Sequence, residues 1–213
     1  MYRPPAFRAD DDAAWSLVAA HPLAQLVVVD ATGAPLATPV PLLRRGDTLV
    51  GHLARGNHVG RHPGPALAIF SGPDAYVSPR WYADKEVHGK VVPTWNYTTV
   101  HVAGTLIVHD DPAWTLALVT ELTDVMEAAT TAAGVDGVPW AVADAPDDYV
   151  SGLLRGIVGI ELIDLRLEGK AKLSQNRSAD DRRRVADGLE PIDPTSRAVA
   201  DAMRALTVPD STV

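Results

Sequence analysis

The chain contains no cysteine, which excludes disulfides, thiolate metal ligands and a cysteine nucleophile, and leaves the redox compartment open. Positive charge is scarce. Lys and Arg number 19 against 27 Asp and Glu, a formal net charge of −8 over 213 residues. Such a surface repels nucleic-acid phosphates on average, so direct DNA binding needs a local basic patch. Long apolar runs are also missing: no stretch approaches the roughly 20 residues of a spanning helix, and the start MYRPPAFRADDDAAW has no apolar signal core. The expectation is a soluble cytoplasmic protein with no membrane segment. Internal repeats and low-complexity tracts are absent. With 46% hydrophobic residues, the chain can bury a substantial core as one domain, or one domain with a helical appendage.

The texture of the chain changes from segment to segment. Residues 10–20 read as a helix with Asp10, Asp11 and Asp12 at its positive end. Strand signals follow at 23–30 and 36–43, joined by ATGAP, and again at 48–54 after the turn RRGD. ALAIFSG and DAYVSP predict two short strands around Gly72 and Pro73. The longest strand candidate is 97–109, whose even positions Val100, Val102, Leu106 and Val108 are apolar. Asp111 and Pro112 form an N-cap and N1 pair for a helix over about 112–133, with Trp114, Leu118, Leu122, Val125, Met126 and Ala129 at helical spacing and a stop at Gly134. A loop, a short helix at 148–154 and a last strand at 157–167 lead to KLSQN. The final helices are 178–190, opened by a Ser-x-x-Asp cap, and 195–206, before a frayed tail. Strands at turn spacing with helices arriving late argue for a mainly β, antiparallel barrel with peripheral helices. The boundary expected is a domain over 1–190 and a C-terminal helix and tail over 191–213.

Three segments carry chemistry. HLARGN (His52 to Asn57) ends a strand, where Arg55, Gly56 and Asn57 can present a guanidinium, backbone N–H groups and an amide to a phosphate. The same residues read equally as an ordinary solvated turn. His52, His58 and His62 have a metal-like spacing, but Gly56, Gly60 and Pro63 break any helix and no acidic residue completes a ligand set, so no metal site is expected. WYADKEVHGKVVPTWN gathers Trp81, Trp95, Lys85, Lys90, His88, Thr94 and Asn96 in an irregular segment, which suits a flat anionic ligand. Tryptophans plugging a barrel end or a dimer interface are the alternative. KLSQNR adds Lys172, Ser174, Gln175, Asn176 and Arg177, either as a second wall or as a helix-capping loop.

HLARGN, YVSPRWY, HGKVVPTWNY and KLSQNRS, in that order, resemble the motif series of the PaiB-type FMN-binding negative transcriptional regulators. That family is related to split-barrel flavoproteins such as pyridoxamine phosphate oxidases and flavin reductases. The resemblance runs from the N-terminal MYRPPAF to about Leu189. It implies a six-stranded antiparallel split barrel, a homodimer and FMN in interfacial clefts. Residue by residue, it implies that Arg55 and Asn57 grip the FMN phosphate with His52 lining the site. Lys90, Thr94, Trp95 and Asn96 would approach the ribityl chain or isoalloxazine, and Lys172, Ser174, Gln175 and Asn176 would close the cleft. The variable ADKEV stretch leaves Lys85 and Glu86 outside this assignment.

No catalytic acid or base stands out, so turnover stays open. A flavin-dependent oxidoreductase is the alternative to a regulatory FMN-binding protein, although no GxGxxG fingerprint is present for a nicotinamide cofactor. A haem-binding split barrel with His88 or His101 as axial ligand is a third reading. The compact basic run Arg182–Arg184 lies among Asp180, Asp181 and Asp187 and reads as a solvated helix face rather than a DNA-binding patch.

Overall fold

In the computed structural model, which describes residues 1–83, 85 and 89–206, strand β1 (Arg8–Ala9) precedes helix α1 (Asp11–Ala20). The helix starts there because Asp10 turns its carboxylate onto the Ala13 N–H at 2.8 Å. Next, β2 (Leu23–Val29) and β3 (Pro35–Pro41) pair from Leu23↔Pro41 to Val29↔Pro35. Strict alternation buries Ala24, Leu26 and Val28. One carboxylate oxygen of Asp30 ties their turn, accepting from the Thr32 and Ala34 N–H groups and the Thr32 hydroxyl, while Gly33 takes φ +88°. Then come β4 (Leu43–Arg45), β5 (Thr48–Ala54), β6 (Gly64–Val77), β7 (Thr94–His109), α2 (Pro112–Ala132), α3 (Asp147–Leu154), β8 (Ile157–Lys172), α4 (Ala179–Leu189) and α5 (Pro194–Ala205). Hydrogen-bonded neighbours run in the order β3-β2-β6-β7-β8-β5-β4, with β1 on β8.

The strand count exceeds the expected six: the sheet has eight strands among the described residues, and the two-residue β1 and the three-residue β4 account for the difference. Several boundaries differ from expectation, among them the start of β7, which lies at Thr94 and not at Tyr97. The pair of short strands around Gly72 and Pro73 is one 14-residue strand, β6. Gly72 there serves a close approach, since a Cβ on it would lie 2.2 Å from the Thr98 hydroxyl. Likewise β8 does not stop at Leu167 but runs through Lys172, so KLSQN begins inside a strand. Glu86, His88 and the tail 207–213 lie outside the described residues. No helix among the described residues is long and apolar enough to cross a membrane.

The chain forms two compact units, and β6, β7 and β8 each run from one into the other. The first comprises Met1–Val18, Ser71–His101 and the chain from Glu168 onward. Its core is Ala75, Val77, Tyr82, Leu173, Val185, Ala186, Leu189, Val199, Ala200 and Met203. Helix α5 supplies Ser196, Val199, Ala200 and Met203 at helical spacing, and Asp193 caps it by accepting the Ser196 N–H at 2.8 Å. Trp81 lies over Gly188, where a Cβ would stand 2.5 Å from the indole. On the outer face of α4, Arg183 pairs with Asp180 and Asp187, and Arg184 with Asp180.

The second unit comprises Ala19–Phe70 and Val102–Leu167. Leu26, Val40, Leu42, Leu49, Phe70, Leu106, Leu118, Ile160 and Leu162 are fully buried there. Asp111 caps α2 as expected, accepting the Ala113 N–H at 2.8 Å. The buried stripe of α2 is Thr115, Leu118 and Leu122, whereas Val125 is 38% exposed. Trp114 covers Gly159 so closely that a Cβ would sit 2.1 Å from the ring. The same indole stacks on His109 with centroids 4.0 Å apart, and His109 Nε2 lies 2.9 Å from Glu161.

Candidate functional site

The residues singled out in the sequence divide between the units. His52, Arg55 and Asn57 belong to the second; Lys90, Thr94, Trp95, Asn96, Lys172, Ser174, Gln175 and Asn176 belong to the first.

At the end of β5, Arg55 is committed within the chain. Its two terminal nitrogens donate to the two carboxylate oxygens of Asp110 at 2.8 and 2.7 Å. Further bonds run from Nε to the Arg155 carbonyl at 2.9 Å and from a terminal nitrogen to the Ile157 carbonyl at 3.2 Å. The guanidinium thereby holds the Asp110 carboxyl below the usual carboxylate range. Asn57 is folded into the turn, donating from Nδ2 to the Thr38 hydroxyl at 3.0 Å and accepting the Val59 N–H at 3.0 Å. His52 is half-buried, and burial depresses its pKa. Its Nδ1 is enclosed with no hydrogen-bond partner among the described residues.

In the first unit the end of β8 meets the start of β7. Lys172 is the last residue of β8, and its ammonium donates to the Thr94 hydroxyl and to the Trp95 carbonyl. Burial pushes its pKa down, and the neighbouring Lys170 and Arg177 charges push the same way. The chain then turns sharply, with Ser174 in the left-handed region at φ +64°. That turn drives the buried Ser174 hydroxyl onto Asn96 Oδ1 at 3.1 Å. Gln175 folds back on its own backbone, accepting the Leu173 N–H at 2.8 Å and donating to the Ala171 carbonyl at 2.6 Å. Its amide therefore shapes the turn.

Two of the cavities among the described residues of this unit are lined by the candidate residues. The smaller, about 130 Å³, is lined by Tyr82, Val92, Pro93, Thr94, Asn96, Lys172, Ser174, Asn176 and Arg177. The larger, about 620 Å³, lies within the range of small-molecule sites and has Tyr76, Arg80, Trp81 and Trp95 among its walls. Strand pleating separates the candidates: Thr94 and Asn96 line the first cavity and Trp95 the second. Trp95 is 53% exposed and meets Tyr76 edge-on at 6.1 Å. Lys90 is exposed and lines neither cavity.

Two contributors, Arg80 and Tyr82, were not singled out in the sequence, and a third, Arg177, was placed in the second cluster without an assigned role. Arg80 directs its Nε to the Ser78 hydroxyl at 3.0 Å. Tyr82 is buried beneath the Arg177 guanidinium, which lies 4.6 Å from its ring centre. Burial raises the Tyr82 pKa, Arg177 and Ser174 oppose the rise, and the hydroxyl has no well-formed hydrogen bond among the described residues. The signal in the sequence was adjacency, Arg80 and Tyr82 within YVSPRWY and Arg177 directly after KLSQN.

The donor set suits a flavin mononucleotide. Its phosphate, ribityl oxygens and pyrimidine carbonyls are acceptors, and Lys172, Arg177 and Asn176 supply donors, while the exposed Trp95 ring lines the neighbouring cavity. An ammonium has three N–H groups, and the two bonds of Lys172 leave one for a ligand.

Comparison with known proteins points to FMN independently of these residues. The family described as "Putative FMN-binding domain" matches residues 1–163. An uncharacterized protein of Aspergillus fumigatus is 38% identical over 140 residues, 61% of this chain and 54% of that one. The chain spans about half the length of the fungal relatives it matches. Protease synthase and sporulation protein PAI 2 of Bacillus subtilis is 29% identical across 95% of this chain and 96% of its own. The solved FAD and heme binding protein of Mycobacterium smegmatis shares the fold, with a TM-score of 0.56 at 20% identity over 81% of this chain and 76% of that one. The shared arrangement is the antiparallel split barrel with peripheral helices. With residues 1–163 matched, most of its length, the chain belongs to the FMN-binding domain family.

Proposed function

We propose that this chain binds FMN through the Lys172 cluster, as a homodimer, and regulates transcription in response to flavin or its redox state without touching DNA itself. The carrying observation is the ammonium of Lys172, half-buried among other cations and fixed to Thr94 and the Trp95 carbonyl with one N–H left over. A bound flavin would accept and release electrons. Lys172 would hold a fixed positive charge against an anionic group of the flavin. Asn176 and Arg177 would add hydrogen bonds, and the exposed Trp95 ring would offer an aromatic surface.

The family resemblance is the support for homodimerisation. For the regulatory role, the PaiB-type resemblance is the support. Against direct DNA contact stand the net charge of −8 and the pairing of Arg183 and Arg184 with Asp180 and Asp187.

The test is titration of the purified chain with FMN, followed by quenching of flavin fluorescence. One FMN per chain is expected, with clearly weaker binding by Lys172→Met and a dimer in sedimentation. Absence of quenching by the wild-type chain sinks the flavin assignment; tight, salt-sensitive binding to a promoter fragment sinks the indirect regulatory role.

A further inference from the structure

The smaller cavity has the composition of an anion site. Its volume of about 130 Å³ is too small for an isoalloxazine but accommodates a tetrahedral oxyanion. Two cationic residues, Lys172 and Arg177, line it together with Tyr82, Thr94, Ser174, Asn96 and Asn176. No carboxylate lines it among the described residues. The neighbouring Asp181 is not among the lining residues; one of its carboxylate oxygens accepts the Ala83 N–H at 2.7 Å, and the other is buried with no hydrogen-bond partner among the described residues. Val92 and Pro93 complete the wall without competing acceptors.

The hydroxyl of Tyr82 supplies an independent sign. Tyr82 is only 2% exposed, yet its hydroxyl lacks a well-formed hydrogen bond among the described residues. Arg177 and Ser174 lie near that hydroxyl without forming a good hydrogen bond to it, and a buried phenol so poorly satisfied costs free energy that an acceptor in the pocket would lower. Lys172 and Arg177 repel each other across the same space, which a bound anion would reverse. Arg55, the more obvious phosphate ligand in the sequence, already spends its guanidinium on Asp110 and two carbonyls.

We infer that the pocket bounded by Lys172, Arg177, Ser174 and Tyr82 is an oxyanion site that takes a phosphate group, either the phosphate of FMN or inorganic phosphate. As a statement about FMN this rests on the flavin reading; as a statement about the pocket it does not. Arg177 and Lys172 provide charge-assisted donors, the Tyr82 hydroxyl donates from below, and Asn176 closes the exposed side.

The experiment follows thermal unfolding of the full chain in sodium phosphate and in sodium chloride of equal ionic strength, alongside titrations with FMN and riboflavin. Wild-type protein, Arg177→Gln and the nearly isosteric Tyr82→Phe are compared, with circular dichroism establishing that each variant is folded. Phosphate is expected to raise the melting temperature saturably where chloride does not, and loss of Arg177 should weaken that binding about tenfold or more. Tyr82→Phe should weaken it by a smaller factor. If Arg177→Gln weakens FMN but not riboflavin, or FMN abolishes the phosphate response, the occupant is the flavin's own phosphate. Phosphate binding that adds to FMN binding, or persists in a chain that takes up no flavin, assigns the site to inorganic phosphate and leaves the inference standing. The inference is overturned if Arg177→Gln changes neither the phosphate response nor the preference for FMN over riboflavin.

Discussion

The hydroxyl of Ser174 donates to Asn96 Oδ1 at 3.1 Å, with both side chains buried. This bond joins the turn after β8 to the start of β7. Asn96 continues inward, its Nδ2 lying 3.2 Å from the Met203 sulfur of α5. Asn96→Ala should therefore strand the Ser174 hydroxyl and lower unfolding free energy by about 1–3 kcal/mol. Urea denaturation measures this; an unchanged midpoint would mean that the turn is held by other contacts.

Gly159 has no room for a side chain beneath Trp114. Gly159→Ala should displace the indole from its stack on His109 and cost about 1–3 kcal/mol through overpacking. The expected outcome is a lower melting temperature with altered near-ultraviolet circular dichroism, because the ring environment changes along with stability.

His52 gives the fold a dependence on acid. Burial lowers its folded pKa below the ordinary value of 6.5, so on acidification the unfolded chain binds the proton first. Stability at neutral pH is unaffected by this group, and it falls as pH drops below 6.5 toward the folded pKa. His52→Gln should flatten that part of the pH–stability curve. A curve of unchanged slope in the variant would assign the acid sensitivity elsewhere, with His101, also depressed chiefly by burial, as the next candidate.

Arg55 and Lys172 should separate stability from binding. Arg55→Ala removes bonds to Asp110, Arg155 and Ile157 and should lower the melting temperature while FMN affinity stays unchanged. Lys172→Met should do the reverse in emphasis, weakening FMN more than it destabilises the fold. Isothermal titration of both variants decides the matter, and a large loss of FMN affinity in Arg55→Ala would return the phosphate to the β5 turn.

The alternation of β2, the capped start of α2 and the Ser178 cap of α4, whose hydroxyl accepts the Asp181 N–H at 3.1 Å, were legible because each is written in neighbouring residues. The continuity of β6 was not, because Gly72 and Pro73 carry a local turn signal while the reason for Gly72 is Thr98, far along the chain. The candidate site was legible as two clusters, since lysines, amides and hydroxyls away from a core pattern stand out in any reading. How the clusters divide was hidden. The separation of Trp95 from Thr94 and Asn96 depends on where β7 begins, and the starting point of 97–109 missed that the strand takes in all three. Arg177 over Tyr82 joins two segments that no spacing rule connects.

Lys172 is anchored to the carbonyl of Trp95, not to its ring. A carbonyl is present whatever residue stands at position 95, so the ammonium keeps its place when that side chain changes. The wall of the larger cavity can thus be altered at position 95, from indole to a smaller or more polar group, without moving the cation on the other side of the strand. The two sides of β7 are separately adjustable: one sets which flat molecule is accepted, and the other keeps a fixed positive charge.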